Sequence, residues 1–241
     1  MNLQTFLDAI PSFIWSDGNG AASGLAITAE LFLLSIVPGM ALAIALVVGQ
    51  VYGPRALALP IRGFTYFFRS TPLYLQLMLI YYGLSQFDIV QTGWRNEQPF
   101  WLLFRDATFC ATLALVLNTS AYVAELLAGM MLTFPRQEWV AGEAYGMGKW
   151  QIIRRLVLPA TLRRGIPALN NEMVFLLHAT SLASTVTLLD ITGVARAFYA
   201  MTWSPFIPFL MAAALYLLCT FLLIFAFSRA ERRWLAFIRR G

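Results

Sequence analysis

The chain has 241 residues, a formal net charge of +5, 59% hydrophobic and only 12% charged residues, and a mean hydropathy of +0.69. Soluble domains are about 45–50% apolar and about 25% charged, so a water-soluble fold could not cover its surface here, and disorder, which needs low hydrophobicity, is excluded too. Soluble enzymes and free nucleic-acid binders drop out, and a lipid bilayer is the expected solvent.

In chain order, the opening MNLQTFLDAIPSFIWSDGNG carries Asp8 and Asp17 and no Lys or Arg. It lacks the basic start of a cleaved signal peptide and is expected to remain as a short external segment. A membrane helix needs about 20 largely apolar residues. The stretches that qualify are 26–49, 64–84, 108–132, 167–189 and 206–228, the second weakened by Arg69 and Pro72. Helices satisfy their backbone internally in lipid, and no alternating ten-residue barrel pattern is present. The expected fold class is therefore all-α and integral to the membrane: a five-transmembrane-helix bundle forming one domain over 1–241. Cys110 and Cys219 lie in separate apolar stretches without ligand-spaced neighbours, so neither a disulfide framework nor a metal site is expected.

Orientation follows from the 17 basic residues. With the N-terminus outside, the inner portions 50–69, 133–166 and 229–241 hold Arg55, Arg62, Arg69, Arg136, Lys149, Arg154, Arg155, Arg163, Arg164, Arg229, Arg232, Arg233, Arg239 and Arg240. The outer portions keep Arg95, Arg105 and Arg196 among Asp88, Glu97, Asp106 and Asp190. That asymmetry is the positive-inside bias, and it sets the C-terminus in the cytoplasm. The same bias explains the high pI without a nucleic-acid partner.

Between the third and fourth spans lies the polar segment 133–166. A loop of that length without structure is uncommon. Pro135 opens it, Gly146 and Gly148 turn it, and an amphipathic run leads to Leu158 and Pro159, so two short helices joined at the glycines are expected. The small residues Ala141, Gly142, Ala144 and Gly146 would let a partner backbone approach, with Trp139, Tyr145 and Met147 filling its pockets. A loop resting on the membrane surface is equally compatible with the residues alone. GEAYGMGKW at 142–150 is not a phosphate-binding loop, because Glu143 stands where the first glycine belongs and Trp150 follows Lys149. Lys149 is expected to be a solvated or lipid-facing charge.

This loop resembles the EAA loop of permease subunits in ABC importers: Ala141, Gly146, Leu156, Leu158 and Pro159 match its spacing. GLAIT at 24–28, FRSTPLYLQLMLIYYGL at 68–84, NTSAYVAELLAGM at 118–130 and HATSLAS at 178–184 are similar to the amino-acid branch of those permeases, above all to its members for histidine, lysine, arginine and ornithine and for opines. His178 replaces the Lys of most of the branch, Val140 stands at the motif's Glu and Gly142 at its second Ala. Glu138 or Glu143 is then expected to replace that Glu in coupling. The resemblance implies a second permease subunit, identical or homologous, two cytoplasmic ATPases gripping Glu138, Ala141, Gly142, Glu143, Ala144, Gly146 and Pro159, and a periplasmic substrate-binding protein, in a bacterial inner membrane. ATP and Mg would be hydrolysed by the partner ATPase, with no cofactor on this chain and no enzymatic role for it.

An ionisable group at the bilayer centre costs roughly 2.5–3.5 kcal/mol on insertion scales, so intramembrane polar residues need a reason. At about 100° per residue, Asn171, His178, Ser181 and Thr185 form one stripe of the fourth span, with Glu172 beside it. In the third span Asn118, Tyr122, Glu125 and Gly129 share a face. Helix-to-helix glue is one explanation; a substrate path is the other. Glu172 is expected to meet the cationic side chain of a basic amino acid. Thr71 at the broken start of the second span, Gln76 one turn on, Asn118, His178 and Ser181 complete the expected path. For His178 a proton relay and a satisfied core imidazole stay open, and Glu30 and Asp190, near span ends, are expected to be wet. A stand-alone secondary transporter or channel would carry an internal repeat, and an intramembrane enzyme a convergent acid, base or nucleophile set; neither is visible.

Overall fold

The computed structural model describes residues 10–14 and 22–234, so most of the expected external segment and residues 235–241 lie outside the described residues. Helix α1, Gly24–Tyr52, starts at Ser23, whose side chain accepts from the Ala26 N–H at 3.1 Å. Its buried positions, Thr28, Leu31, Ser35, Gly39, Ala43 and Val47, recur every three or four residues and form one stripe. The stripe packs along α6, Ala107–Leu132, where a Cβ at Gly39 would meet Thr119 side-chain carbons at 3.7 Å. Small residues on both sides let the two backbones close together, which is how helices associate where no hydrophobic effect separates protein from lipid.

The second expected span is not one helix. Helix α2, Arg55–Ser70, is amphipathic, with Arg55, Arg62 and Arg69 seven residues apart on one face. It stops at Thr71–Pro72, and α3, Leu73–Met78, continues through a π-helical turn at Leu79–Gly83. The break therefore follows a full helix, Arg55–Ser70. Two short helices, α4, Asp88–Arg95, and α5, Pro99–Leu102, lead to Asp106, which caps α6 by accepting from the N–H groups of Thr108 and Phe109 at 3.2 and 3.0 Å.

Beyond α6, α7 spans Arg136–Ala144 and ends at Gly146, whose φ of 76° suits a residue without Cβ. Helix α8, Lys149–Ile152, does not end at Pro159. A π-helical turn, Ile153–Val157, runs directly into α9, Leu158–Ala179, so the second loop helix and the fourth span are one rod. Pro159 falls in the first turn of α9, where the π-helical pairing has already freed a donor position. The rod tightens to a 3-10 segment at Thr180–Val186 and halts at Thr187, which is left-handed at φ 70°. Helix α10, Ile191–Thr202, follows at a bend of 44°, and α11, Phe206–Trp234, closes the chain against α9 and α10.

Among the described residues, α1, α6 and α11 are long and apolar enough to cross a membrane, and a fourth crossing is available if the bent pair 149–186 and Ile191–Thr202 is one span. The core, built on Leu31, Val47, Leu127, Val157, Met173 and Leu176, sits where α1, α6 and α9 meet. Cys110 and Cys219 are free thiols.

Candidate functional site

Everything at the candidate site follows from Pro72. Proline has no N–H, so the Phe68 carbonyl four residues earlier loses its helical donor. Two amides replace it: Gln76 Nε2 at 2.8 Å and Asn118 Nδ2 at 3.1 Å. Gln76 Nε2 also reaches the Thr71 carbonyl at 3.0 Å and Thr71 Oγ1 at 2.8 Å, while its Oε1 accepts from Asn118 Nδ2 at 3.3 Å. The Arg69 carbonyl, next in line to be orphaned, accepts from Tyr122 Oη at 3.2 Å. The face of α6 shared by Asn118, Tyr122 and Glu125 thus holds the broken end of α2.

Beside this break opens a cavity of about 610 Å³. Arg69, Ser70, Thr71 and Pro72 form one wall, Asn118, Thr119 and Tyr122 of α6 a second, and Glu172, Phe175 and Ala179 of α9 a third. The cavity reaches the surface, because Phe175 on its wall is 67% exposed. Arg69 Nη1 lies 3.8 Å from Glu125 Oε2, and its guanidinium sits over the Tyr122 ring at 5.6 Å from the centroid. Glu125 also accepts from Gln50 Nε2 at 3.2 Å.

Of the expected path residues, the structure brings Glu172, Thr71 and Asn118 to this cavity. Gln76 is not on its wall: it is buried beneath the break, with its amide engaged on the backbone. His178 points the other way, with Nε2 3.0 Å from Thr220 Oγ1 on α11 and its ring edge-on to Tyr216. Ser181 falls in the tightened segment after α9, where counting at 100° per residue no longer holds. Arg69, Tyr122 and Phe175 join the site beyond the expected path residues. Tyr122 had a signal, since it lies four residues from Asn118 on one helical face.

Asp190 is not wet. It is fully buried, accepts from the N–H groups of Thr192 and Gly193 at 3.1 and 3.0 Å as the cap of α10, and receives the Tyr216 hydroxyl at 3.1 Å. The cap satisfies the carboxylate where water cannot.

In the loop, Arg136, Gln137, Val140, Ala141 and Ala144 line a shallow apolar depression on α7. Gly142 faces inward instead: a Cβ there would meet Ile152 and Leu156 side-chain carbons at 3.1 Å, so its smallness serves the packing of α7 on the rod. Glu138 and Glu143, expected to replace the missing Glu, are both exposed on the loop, each with an intramolecular partner. Arg164 Nη2 lies 3.5 Å from Glu138 Oε1, and Trp139 Nε1 donates to Glu143 Oε1 at 2.8 Å. Lys149 is exposed, and its Nζ donates to the Tyr52 carbonyl at 3.1 Å, which satisfies the end of α1. Pro159 lies within the rod, away from the exposed face of α7.

Over residues 39–235 the sequence matches the family described as binding-protein-dependent transport system inner membrane component. It is 43% identical over 225 residues to the histidine/lysine/arginine/ornithine transport system permease protein HisM of Salmonella typhimurium, covering 93% of each chain. It is 37% identical over 221 residues to the octopine transport system permease protein OccM of Rhizobium radiobacter, covering 92% of this chain and 88% of that one. Among solved structures, the crystal structure of an amino acid ABC transporter with histidines superposes with a TM-score of 0.79 at 26% identity, over 97% of this chain and 99% of the other. An inward-facing structure of the MetNI methionine ABC transporter superposes with a TM-score of 0.67 at 16% identity, over the same shares, a likeness of fold.

Proposed function

The chain belongs to the family of binding-protein-dependent transport system inner membrane components, and from that premise we infer that it is the permease subunit of an ATP-driven amino-acid importer of the bacterial inner membrane, acting on basic amino acids (histidine, arginine, lysine, ornithine) or on opines. The observation that carries the substrate class is the cavity at the helix break, which offers a carboxylate, Glu172, beside apolar Leu73, Phe175 and Leu176. A cation leaving water loses hydration that hydrocarbon cannot replace. Glu172 offsets that loss, Thr71 and Asn118 supply polar contacts, and the apolar wall accommodates the aliphatic stem. Gln76 acts by holding the break open, and His178 and Ser181 act in packing.

The remaining parts of the assembly are part of the same proposal. The chain crosses the membrane five times, the broken α2–α3 included, with its N-terminus outside and its C-terminus in the cytoplasm; the basic residues gathered at 50–69, 133–166 and 229–241 support this. A second permease covers the open side of the cavity, beside which Tyr66, Phe67, Tyr74 and Leu75 stand exposed. Two ATPases dock on α7 and hydrolyse ATP with Mg, and a periplasmic binding protein delivers substrate. Uptake by the reconstituted complex, screened over arginine, histidine, lysine, ornithine and an opine, tests the function. Uptake that requires both ATP and the binding protein is expected; uptake by this chain alone would favour a channel or secondary transporter.

A further inference from the structure

We propose that Arg69 receives the α-carboxylate of the transported amino acid, across the cavity from Glu172, an assignment that rests on reading the cavity as the substrate path. Among the described residues lining the cavity, Arg69 and Glu172 alone carry charge, and they come from different elements, the end of α2 and the middle of α9. One fixed cation and one fixed anion in a single cavity complement a ligand with a carboxylate at one end and a cation at the other. Arginine, lysine and ornithine have that form.

Arg69 is positioned and yet not spent. Tyr122 fixes it twice, by donating to its carbonyl at 3.2 Å and by lying under its guanidinium. Its ion pair with Glu125 is a single 3.8 Å contact between two side chains each 40% exposed, longer than a hydrogen bond. A guanidinium presents five N–H donors in a planar fork that matches a carboxylate, so that contact leaves the fork open. Glu125 has an independent partner in Gln50 at 3.2 Å and is not stranded when Arg69 turns to a ligand. Glu125 therefore serves as a holding partner, and the carboxylate of the substrate displaces it.

The test uses the complete detergent-purified complex of permeases and ATPases, without the binding protein, titrated with arginine and with agmatine, which keeps the guanidinium and lacks the carboxylate. The unmodified complex is expected to prefer arginine by roughly tenfold to a hundredfold, the usual worth of a charge-assisted hydrogen bond. Arg69→Gln should remove most of that preference by weakening arginine and sparing agmatine, and Arg69→Lys should fall between. Because both ligands are measured on one preparation, a loss of assembly cancels from the ratio. Glu172→Gln should weaken both ligands and keep the ratio. Equal weakening of both ligands by Arg69→Gln, with Glu172→Gln still effective, would overturn the assignment and spare the cavity. A preference abolished by Arg69→Gln beside indifference to Glu172→Gln would keep the carboxylate site and sink the role of Glu172.

Discussion

Pro72 creates a demand that only distant residues can meet. The sequence made the break legible, because a proline removes a backbone donor and disfavours the helical conformation of the residue before it. It did not make Gln76 legible, because the amide's partners are a carbonyl eight residues back and Asn118, 42 residues on. A buried amide with its donors engaged is a brace, and a brace shows up as stability. Gln76→Leu keeps the bulk and leaves the half-buried Thr71 carbonyl without its amide donor, at a cost of about 1 kcal/mol for the lost hydrogen bond. We expect a lower melting temperature of the assembled complex with the order of substrate preference unchanged. A shift in that order at constant melting temperature would return Gln76 to the substrate path. Asp190 teaches the same lesson: position near a span end suggested water, while the cap and the Tyr216 hydroxyl made burial affordable.

At the scale of elements, helical periodicity reads well wherever the helix stays α. The shared face of α6 was visible as spacings of three and four residues. The fourth span read well only over its α-helical part, because its rod passes a π-helical turn at Ile153–Val157 and ends in a 3-10 segment that takes in Ser181 and Thr185, and both change the angle per residue. Pro159, a stop signal in sequence, sits in a first turn that tolerates it. The coupling loop divides likewise: Glu138, Val140, Ala141, Glu143 and Ala144 are exposed, whereas Gly142 packs inward. Gly146 links the two parts at φ 76°, with nothing within 4 Å of the place a Cβ would occupy. Its requirement is conformational rather than steric. A β-branched residue there costs roughly 1–2 kcal/mol, so Gly146→Val should turn α7 away from the ATPase and uncouple ATP hydrolysis from transport, while Gly146→Asn, which tolerates the left-handed region, should largely retain coupling. Normal transport per ATP in the Val variant would contradict docking through α7.

The whole molecule is an incomplete object, with faces that only lipid or other subunits can cover. Helix α11 leaves Leu217, Leu218, Phe221, Leu222 and Phe225 exposed, and the cavity opens beside exposed aromatics of α2 and α3. Composition revealed the bilayer at once, because apolar excess is a sum over all residues. The cavity stayed hidden in sequence because it joins residues from α2, α6 and α9, and only Glu172, Thr71, Asn118 and Tyr122 had announced themselves by charge, break or stripe. The central claim is that Glu172 makes the path selective for cations. Its most direct test is uptake per assembled complex of arginine and of histidine by the Glu172→Gln permease, at about pH 8, well above the about 6.5 of an unperturbed imidazole, so that histidine enters largely neutral. The account predicts a loss of tenfold or more for arginine, the worth of a charge-assisted contact, and a much smaller loss for histidine. Equal losses for both, together with a lower yield of assembled complex, would contradict it and leave Glu172 as packing between helices.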